Sequence, residues 1–243
     1  MANWSDPRVL DASSVNAGTQ SAAFDAGLRS YMLSVYNYMA SGVLLTGVVA
    51  MLFASSSFGQ SIMLGGGILR WVIILAPLGM IIAMSAGINR MSTAGLQAFF
   101  WGFATVMGLS MSTIFLVYTG ESIAQTFFAT AAAFAGLSLY GYTTKRSLSG
   151  MGSFLIMGVV GLFVASIINI FLKSTALYWA ISSLGVLIFA GLTAYDTQKI
   201  KSMYAHVAGT DMMGKTAIMG ALNLYLDFIN MFQFLLSFMG NRD

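Results

Sequence analysis

Long apolar stretches separated by short polar segments dominate the pattern of this chain. The stretches lack the alternation of polar and apolar residues that is typical of barrel strands. Runs of roughly 18 or more apolar residues are typical of helices that cross a bilayer. Since lipid offers no hydrogen-bond partners to an open backbone, we expect seven transmembrane helices. Their predicted ranges are 32–55, 69–89, 95–118, 122–143, 151–172, 176–198 and 215–238.

The composition agrees with a membrane protein, because only 8% of the 243 residues are charged and 58% are hydrophobic. Soluble domains carry about 25% charged residues, and this chain has too few to cover a soluble surface. We therefore predict an all-α integral membrane bundle that forms one domain over residues 31–243. Residues 1–30 contain three aspartates and no apolar core, so they predict a cytoplasmic, mobile or surface-lying tail rather than a signal peptide.

The distribution of lysine and arginine predicts how the chain is oriented in the membrane. Three basic residues, Arg70, Lys173 and Arg242, fall on one predicted side, and the other eight of the eleven fall on the N-terminal side. The N-terminus is therefore expected in the cytoplasm and the C-terminus outside. A six-span arrangement with a re-entrant last segment is also compatible with this count. The net charge of +3 is small and does not indicate a partner nucleic acid.

Two acids, Asp196 and Asp227, fall inside predicted spans. Intramembrane carboxylates are costly, so both are candidates for a functional role. Asp227 lies twelve residues beyond Lys215, about 18 Å along a helix at ~1.5 Å per residue, near the middle of a ~30 Å apolar core. Asn223 and Asn230 share its helical face and extend it into a polar stripe.

Asp196 lies in the last turn of the sixth predicted span, one turn after Thr193. The sixth and seventh spans are consecutive, so we expect them to be neighbours and the two acids to face each other. Two facing carboxylates would share a proton. Arg90, at the cytoplasmic end of the second span, is the expected counter-charge. The residues alone also allow a simpler role, in which a buried polar pair only orients the helices.

Four segments of the chain resemble sequence motifs of the Bax inhibitor-1 family, the transmembrane Bax-inhibitor-motif group. They occur in the family's order and are GINRM at 87–91, FAGLSLYGYTTKR at 134–146, GLTAYDTQKI at 191–200 and ALNLYLDFIN at 221–230. The resemblance implies a bundle in which six helices surround the seventh. It also implies a pH-sensitive calcium leak channel that protects cells under stress, with the calcium ion as the transported species.

The resemblance assigns the family's paired aspartates to Asp196 and Asp227, which would also meet calcium, and its latch arginine to Arg90. Asn223 departs from the pattern, because some members carry another acid at this position. The short segment Asn241–Asp243 lacks the long charged tail of some eukaryotic members. We therefore expect a bacterial-type member, multi-pass in the inner (plasma) membrane, with no cofactor.

Two other functions are alternatives to the leak channel. A regulator without transport activity would bind other membrane proteins, such as a membrane-anchored ATP-dependent protease, through its tail or bundle surface. An intramembrane aspartyl protease would also place acids on two consecutive spans. The chain lacks the Gly-x-Gly segment before Asp227 and the Pro-Ala-Leu segment after it, so we do not expect an enzyme.

Overall fold

The computed structural model describes the backbone of residues 7–241 and the side chains of residues 22–241. This part of the chain forms an all-α membrane bundle without β-strands. In chain order the helices are α1 (Pro7–Ser55), α2 (Ser57–Leu64), α3 (Ile68–Gly87), α4 (Thr93–Met111), α5 (Ile114–Val117), α6 (Gly120–Thr143), α7 (Ser149–Leu172), α8 (Thr175–Val207) and α9 (Met212–Met239).

Seven helical segments in this range are long and apolar enough to cross a membrane, as the sequence predicts. Five of them end within three residues of the predicted bounds, and the third span comprises α4 and α5 together. The last segment, α9, is an unbroken helix of 28 residues. At ~1.5 Å per residue it is about 42 Å long, so it is long enough to cross the whole bilayer. This length favours seven full spans over a re-entrant last segment.

The first and sixth spans are longer than predicted, both toward the predicted cytoplasmic side. α1 is already helical before residue 32, and Leu28 and Tyr31 are buried there. The predicted tail of residues 1–30 is helical from Pro7 onward and joins the first span without a break, while residues 1–6 lie outside the described residues. Whether this segment is a cytoplasmic tail stays a prediction. α8 continues to Val207 because Ile200 and Tyr204, one turn apart, are buried.

Most of the core lies around α9, the most buried span. In its most apolar 18-residue window 61% of the residues are buried, against 11–33% in the other spans. α9 packs against α1, α4, α6 and α8, whereas α3 packs mainly on α4 and α7 on α8. The implied arrangement of six helices around the last one is therefore not confirmed. α3 and α7 instead lie at the periphery, where they expose large apolar side chains such as Leu75 and Phe163.

Candidate functional site

α8 and α9 form the most extensive helix pair of the bundle, and two glycines bring them close together. A Cβ on Gly185 of α8 would lie 2.5 Å from the ring of Phe234, and one on Gly220 of α9 would lie 3.2 Å from the side chain of Ile200. Larger side chains at these two levels would push the helices apart. The acids lie between the two close approaches, so the glycines hold both acids near the interface.

The structure brings Asp196 and Asp227 together. Asp227 is 4% exposed and Asp196 is half-buried, and their carboxyl groups are within hydrogen-bonding reach of each other. A carboxylate only accepts hydrogen bonds, so this contact requires a proton on one of the two acids. In the described part of the chain, Oδ2 of Asp227 is buried and has no hydrogen-bond partner. The two carboxyl groups can therefore share one proton between α8 and α9.

Lys199, rather than Arg90, supplies the positive charge that acts on Asp196. It lies on α8 one turn after that acid, with Nζ 5.9 Å from the ring centroid of Tyr195. Arg90 is exposed and follows the end of α3 at Gly87. Its backbone N–H donates to the carbonyl of Gly87 at 2.9 Å, so the chain turns away from the helix axis there.

The predicted pairing of Arg90 with Asp196 is absent from this structure, where no ion pair within the described residues involves Arg90. The physical reason is the position of α3, which packs mainly on α4 and has no extensive contact with α8. Arg90 follows this helix, so no extensive helix contact holds it against α8.

The remaining predicted polar residues lie beside the pair without bonding to it in the described structure. Thr193 is fully buried, and its hydroxyl donates to the carbonyl of Phe189 at 2.8 Å. The side-chain amide of Asn230 donates to the carbonyl of Leu226 at 2.7 Å. Asn223 is half-buried on α9, four residues before Asp227. The side chains of Thr193 and Asn230 are therefore hydrogen-bonded to the backbone of their own helices.

A hydrogen-bonded chain that the sequence analysis missed connects α1, α6 and α8. The hydroxyls of Tyr36 and Ser138 are 2.5 Å apart, and those of Ser138 and Thr197 are 3.0 Å apart. Thr197, which follows Asp196 directly, donates to the carbonyl of Thr193 at 2.7 Å. The spacing of Thr193 and Thr197 marks one polar face of α8. The bonded residues are 59 residues apart in one contact and 102 in the other, so a pattern of neighbouring residues could not predict the pairing.

A second buried contact connects α1, α4 and α9. Thr46 donates its hydroxyl hydrogen to the carbonyl of Ala104 at 2.8 Å, so the hydroxyl of Tyr225 must donate to Thr46 Oγ1, at 2.7 Å. Tyr225 is fully buried and lies two residues before Asp227. This contact fixes the rotation of α9 and therefore the direction of the Asp227 side chain.

The residues that could bind a metal ion at this site are Asp196 and Asp227. Within the described residues no group of three or more histidine, cysteine, aspartate or glutamate side chains could hold a metal. Ca²⁺ takes 6–8 oxygen ligands, and two carboxylates supply at most four of them. The pair therefore suits a cation that is bound weakly and retains part of its water shell, not one that is held permanently.

Comparison with known proteins shows relatives that match this chain over most of its length. The family model described as "Inhibitor of apoptosis-promoting Bax1" matches residues 28–243. Inner membrane protein YbhL of Escherichia coli is 46% identical over 219 residues, which cover 89% of this chain and 94% of YbhL. Protein RP147 of Rickettsia prowazekii is 49% identical over 225 residues, which cover 92% of this chain and 94% of RP147.

Proposed function

The chain belongs to the Bax inhibitor-1 family, and from this membership and the geometry of its acidic pair we propose that it is a pH-sensitive calcium leak pathway of the bacterial inner membrane. The observation that carries the proposal is the contact between Asp196 and Asp227 in the most extensive helix pair of the bundle. Acids at such a depth are costly and typically mark ion or proton pathways.

Two acids suit passage of calcium better than storage. A permeating ion must bind strongly enough to enter and weakly enough to leave. With Asp196 and Asp227 as the only acidic ligands, a divalent cation would keep several waters and exchange quickly.

Protonation of the pair is the proposed gate. A second proton on the pair removes its negative charge, and loss of the shared proton leaves two charges that repel each other. We expect the leak to rise as the pH falls from about 8 towards 6 and to fall again at lower pH, when full protonation weakens calcium binding. Lys199 is the base that faces Asp196 in this arrangement.

Arg90 is proposed as a latch that acts in a second arrangement, where it pairs with ionised Asp196 and closes the path. It reaches α8 only if α3 moves. α3 is one of the two spans with the smallest buried share, so its movement breaks few contacts. Protonation of Asp196 would remove the attraction and release α3.

The test is calcium flux into liposomes that contain the purified protein alone, measured with an enclosed calcium dye across pH. We expect Asp227→Asn and Asp196→Asn each to abolish flux, because one carboxylate does not replace two in a low-dielectric site. Asp211→Asn is the matched control, since this exposed acid precedes α9 and should leave flux unchanged.

Unchanged flux in both pair variants would contradict the channel mechanism. If the wild-type protein gives no flux at any pH while remaining folded, the result would favour the regulator that binds other membrane proteins. The pair would then serve only to hold α8 against α9.

A further inference from the structure

A polar cavity of about 330 Å³ lies where α6 ends and α7 begins, against the outer turns of α8. Two basic side chains, Lys145 and Lys199, line it from opposite elements. Its serine hydroxyls come from Ser147, Ser149 and Ser202. The volume falls near the lower end of the roughly 300–1,000 Å³ that is typical of small-ligand sites.

The linker that forms one wall of the cavity is held in place by Gln198 of α8. Its side-chain oxygen accepts from the backbone N–H of Leu148 at 2.8 Å, and its nitrogen donates to the carbonyl of Arg146 at 3.0 Å. The hydroxyl of Ser147 donates to that of Ser149 at 3.1 Å. Both ends of the Gln198 amide are therefore used to shape the wall, which is formed before any ligand arrives.

The charge of the cavity is wholly positive, because no acid lines it. Lys199 is held against the wall by Tyr195, with Nζ 5.9 Å from the ring centroid. Lys145 is exposed on the linker between α6 and α7 and is able to turn toward a ligand. α6 ends at Thr143, so the cavity lies at the edge of the apolar core, the level at which lipid phosphates attract basic side chains.

We infer that this cavity binds a phosphate-bearing anion. Lys145 and Lys199 neutralise the charge of the phosphate. The hydroxyls of Ser147 and Ser202 already donate to Ser149 and to the carbonyl of Lys199, so the hydroxyl of Ser149 is the one that donates to a phosphate oxygen. The same chemistry is offered by the headgroup of an anionic phospholipid and by free inorganic phosphate. The cavity shares Lys199 with the surroundings of Asp196, but neither acid of the pair lines it, and the inference holds whether or not the protein conducts calcium.

The test measures binding to the purified full chain in two arms. In the first, native mass spectrometry counts phosphatidylglycerol molecules retained by the protein, with phosphatidylcholine as the neutral comparison. In the second, inorganic phosphate is titrated calorimetrically, with chloride at equal ionic strength as the blank. The variant is Lys145→Gln with Lys199→Gln, and the control is Lys173→Gln with Lys215→Gln, which removes equal charge outside the cavity.

We expect the cavity variant to bind about tenfold more weakly than the wild type in the arm that gives binding, and the control to bind normally. Binding in the lipid arm identifies a headgroup, and binding in the phosphate arm identifies the free ion. Equal binding by the cavity variant and the control would overturn the inference, as would a wild type that binds neither probe. If the double variant does not fold, Lys145→Gln alone, at an exposed position, provides the same comparison.

Discussion

Gly141 of α6 lies directly against the backbone of α8, two residues before Asp196. A Cβ at this position would overlap the carbonyl oxygen of Ala194 and lie 3.0 Å from its carbonyl carbon and Cα. Ordinary contacts begin at 3.4 Å, so these carbon atoms would have to move apart by at least 0.4 Å, the difference of the two distances, and the oxygen by more. Backbone of a packed helix yields only if the whole helix shifts.

The expected cost of Gly141→Ala follows from two opposing effects. Overpacking of a close contact costs about 1–3 kcal/mol, whereas replacement of glycine by alanine within a helix stabilises it by up to about 1 kcal/mol. The overlapping atoms of Ala194 belong to the backbone and cannot rotate away, so the upper part of the overpacking range, about 2–3 kcal/mol, applies. After the gain of about 1 kcal/mol from alanine, the net loss in the free energy of unfolding is about 1–2 kcal/mol. A chain of this size loses about 2–4 °C of Tm per kcal/mol, so the Tm should fall by about 2–8 °C.

Gly136 of the same helix provides the matched control, because a Cβ there would meet nothing within 4 Å. Gly136→Ala should leave the Tm unchanged or raise it by up to about 4 °C. The assay is thermal unfolding of both variants in one detergent, with calcium flux measured in parallel. Gly141→Ala should also reduce flux, since the shift of α8 separates Ser138 from Thr197 and displaces Asp196. Equal Tm values for the two variants would refute the close packing of α6 on α8.

Three further predictions concern the latch, the buried tyrosine and the topology. Arg90→Ala should make the leak high and nearly independent of pH above about 7, because an ionised acid would lose its latch; a normal pH profile of flux would eliminate the latch and leave the acidic pair. Tyr225→Phe should cost about 0.5–1.5 kcal/mol of stability, measured as a lower Tm; an unchanged Tm would argue against its buried hydrogen bond. Single cysteines at Ser5 and Asn241 should be labelled from opposite sides of the membrane, and labelling of both from one side would exclude seven full spans.

The seven spans were predictable because a bilayer requires long apolar helices. Such runs can be identified in the sequence without knowing how the helices pack. Where prediction failed, a polar residue interrupted the apolar run without ending the helix. Lys199 and Lys201 suggested that the sixth span stops at 198, yet the helix continues because Ile200 between them is buried while Lys199 is exposed. Lys201 donates to the carbonyl of Tyr142 at 2.7 Å, a tertiary contact that no local pattern contains.

The acidic pair was predictable in part. Helical spacing and depth identify Asp196 and Asp227 as buried candidates, and the order of the spans makes them neighbours. The positive charge nearest to the pair comes from either Arg90 or Lys199, depending on where α3 lies in the bundle. Hydrophobic periodicity does not determine the position of α3. Arg90 and Lys199 both lie near the same predicted membrane surface, so the sequence could not distinguish the end of a peripheral helix from the next turn of α8.

The burial of α9 has a consequence for how the protein is made. α9 has the lowest mean hydropathy of the seven spans, 1.2, against 2.6 for α7, and it carries Asp227 in its middle. A segment of this kind gains little by entering lipid alone, and it leaves the ribosome after the other six spans. It must therefore enter a partly assembled bundle whose other helices already offer it a polar surface. A nascent chain that is cut short before Met212 would lose the centre of its packing, so quality-control proteases should recognise it as an unfinished protein.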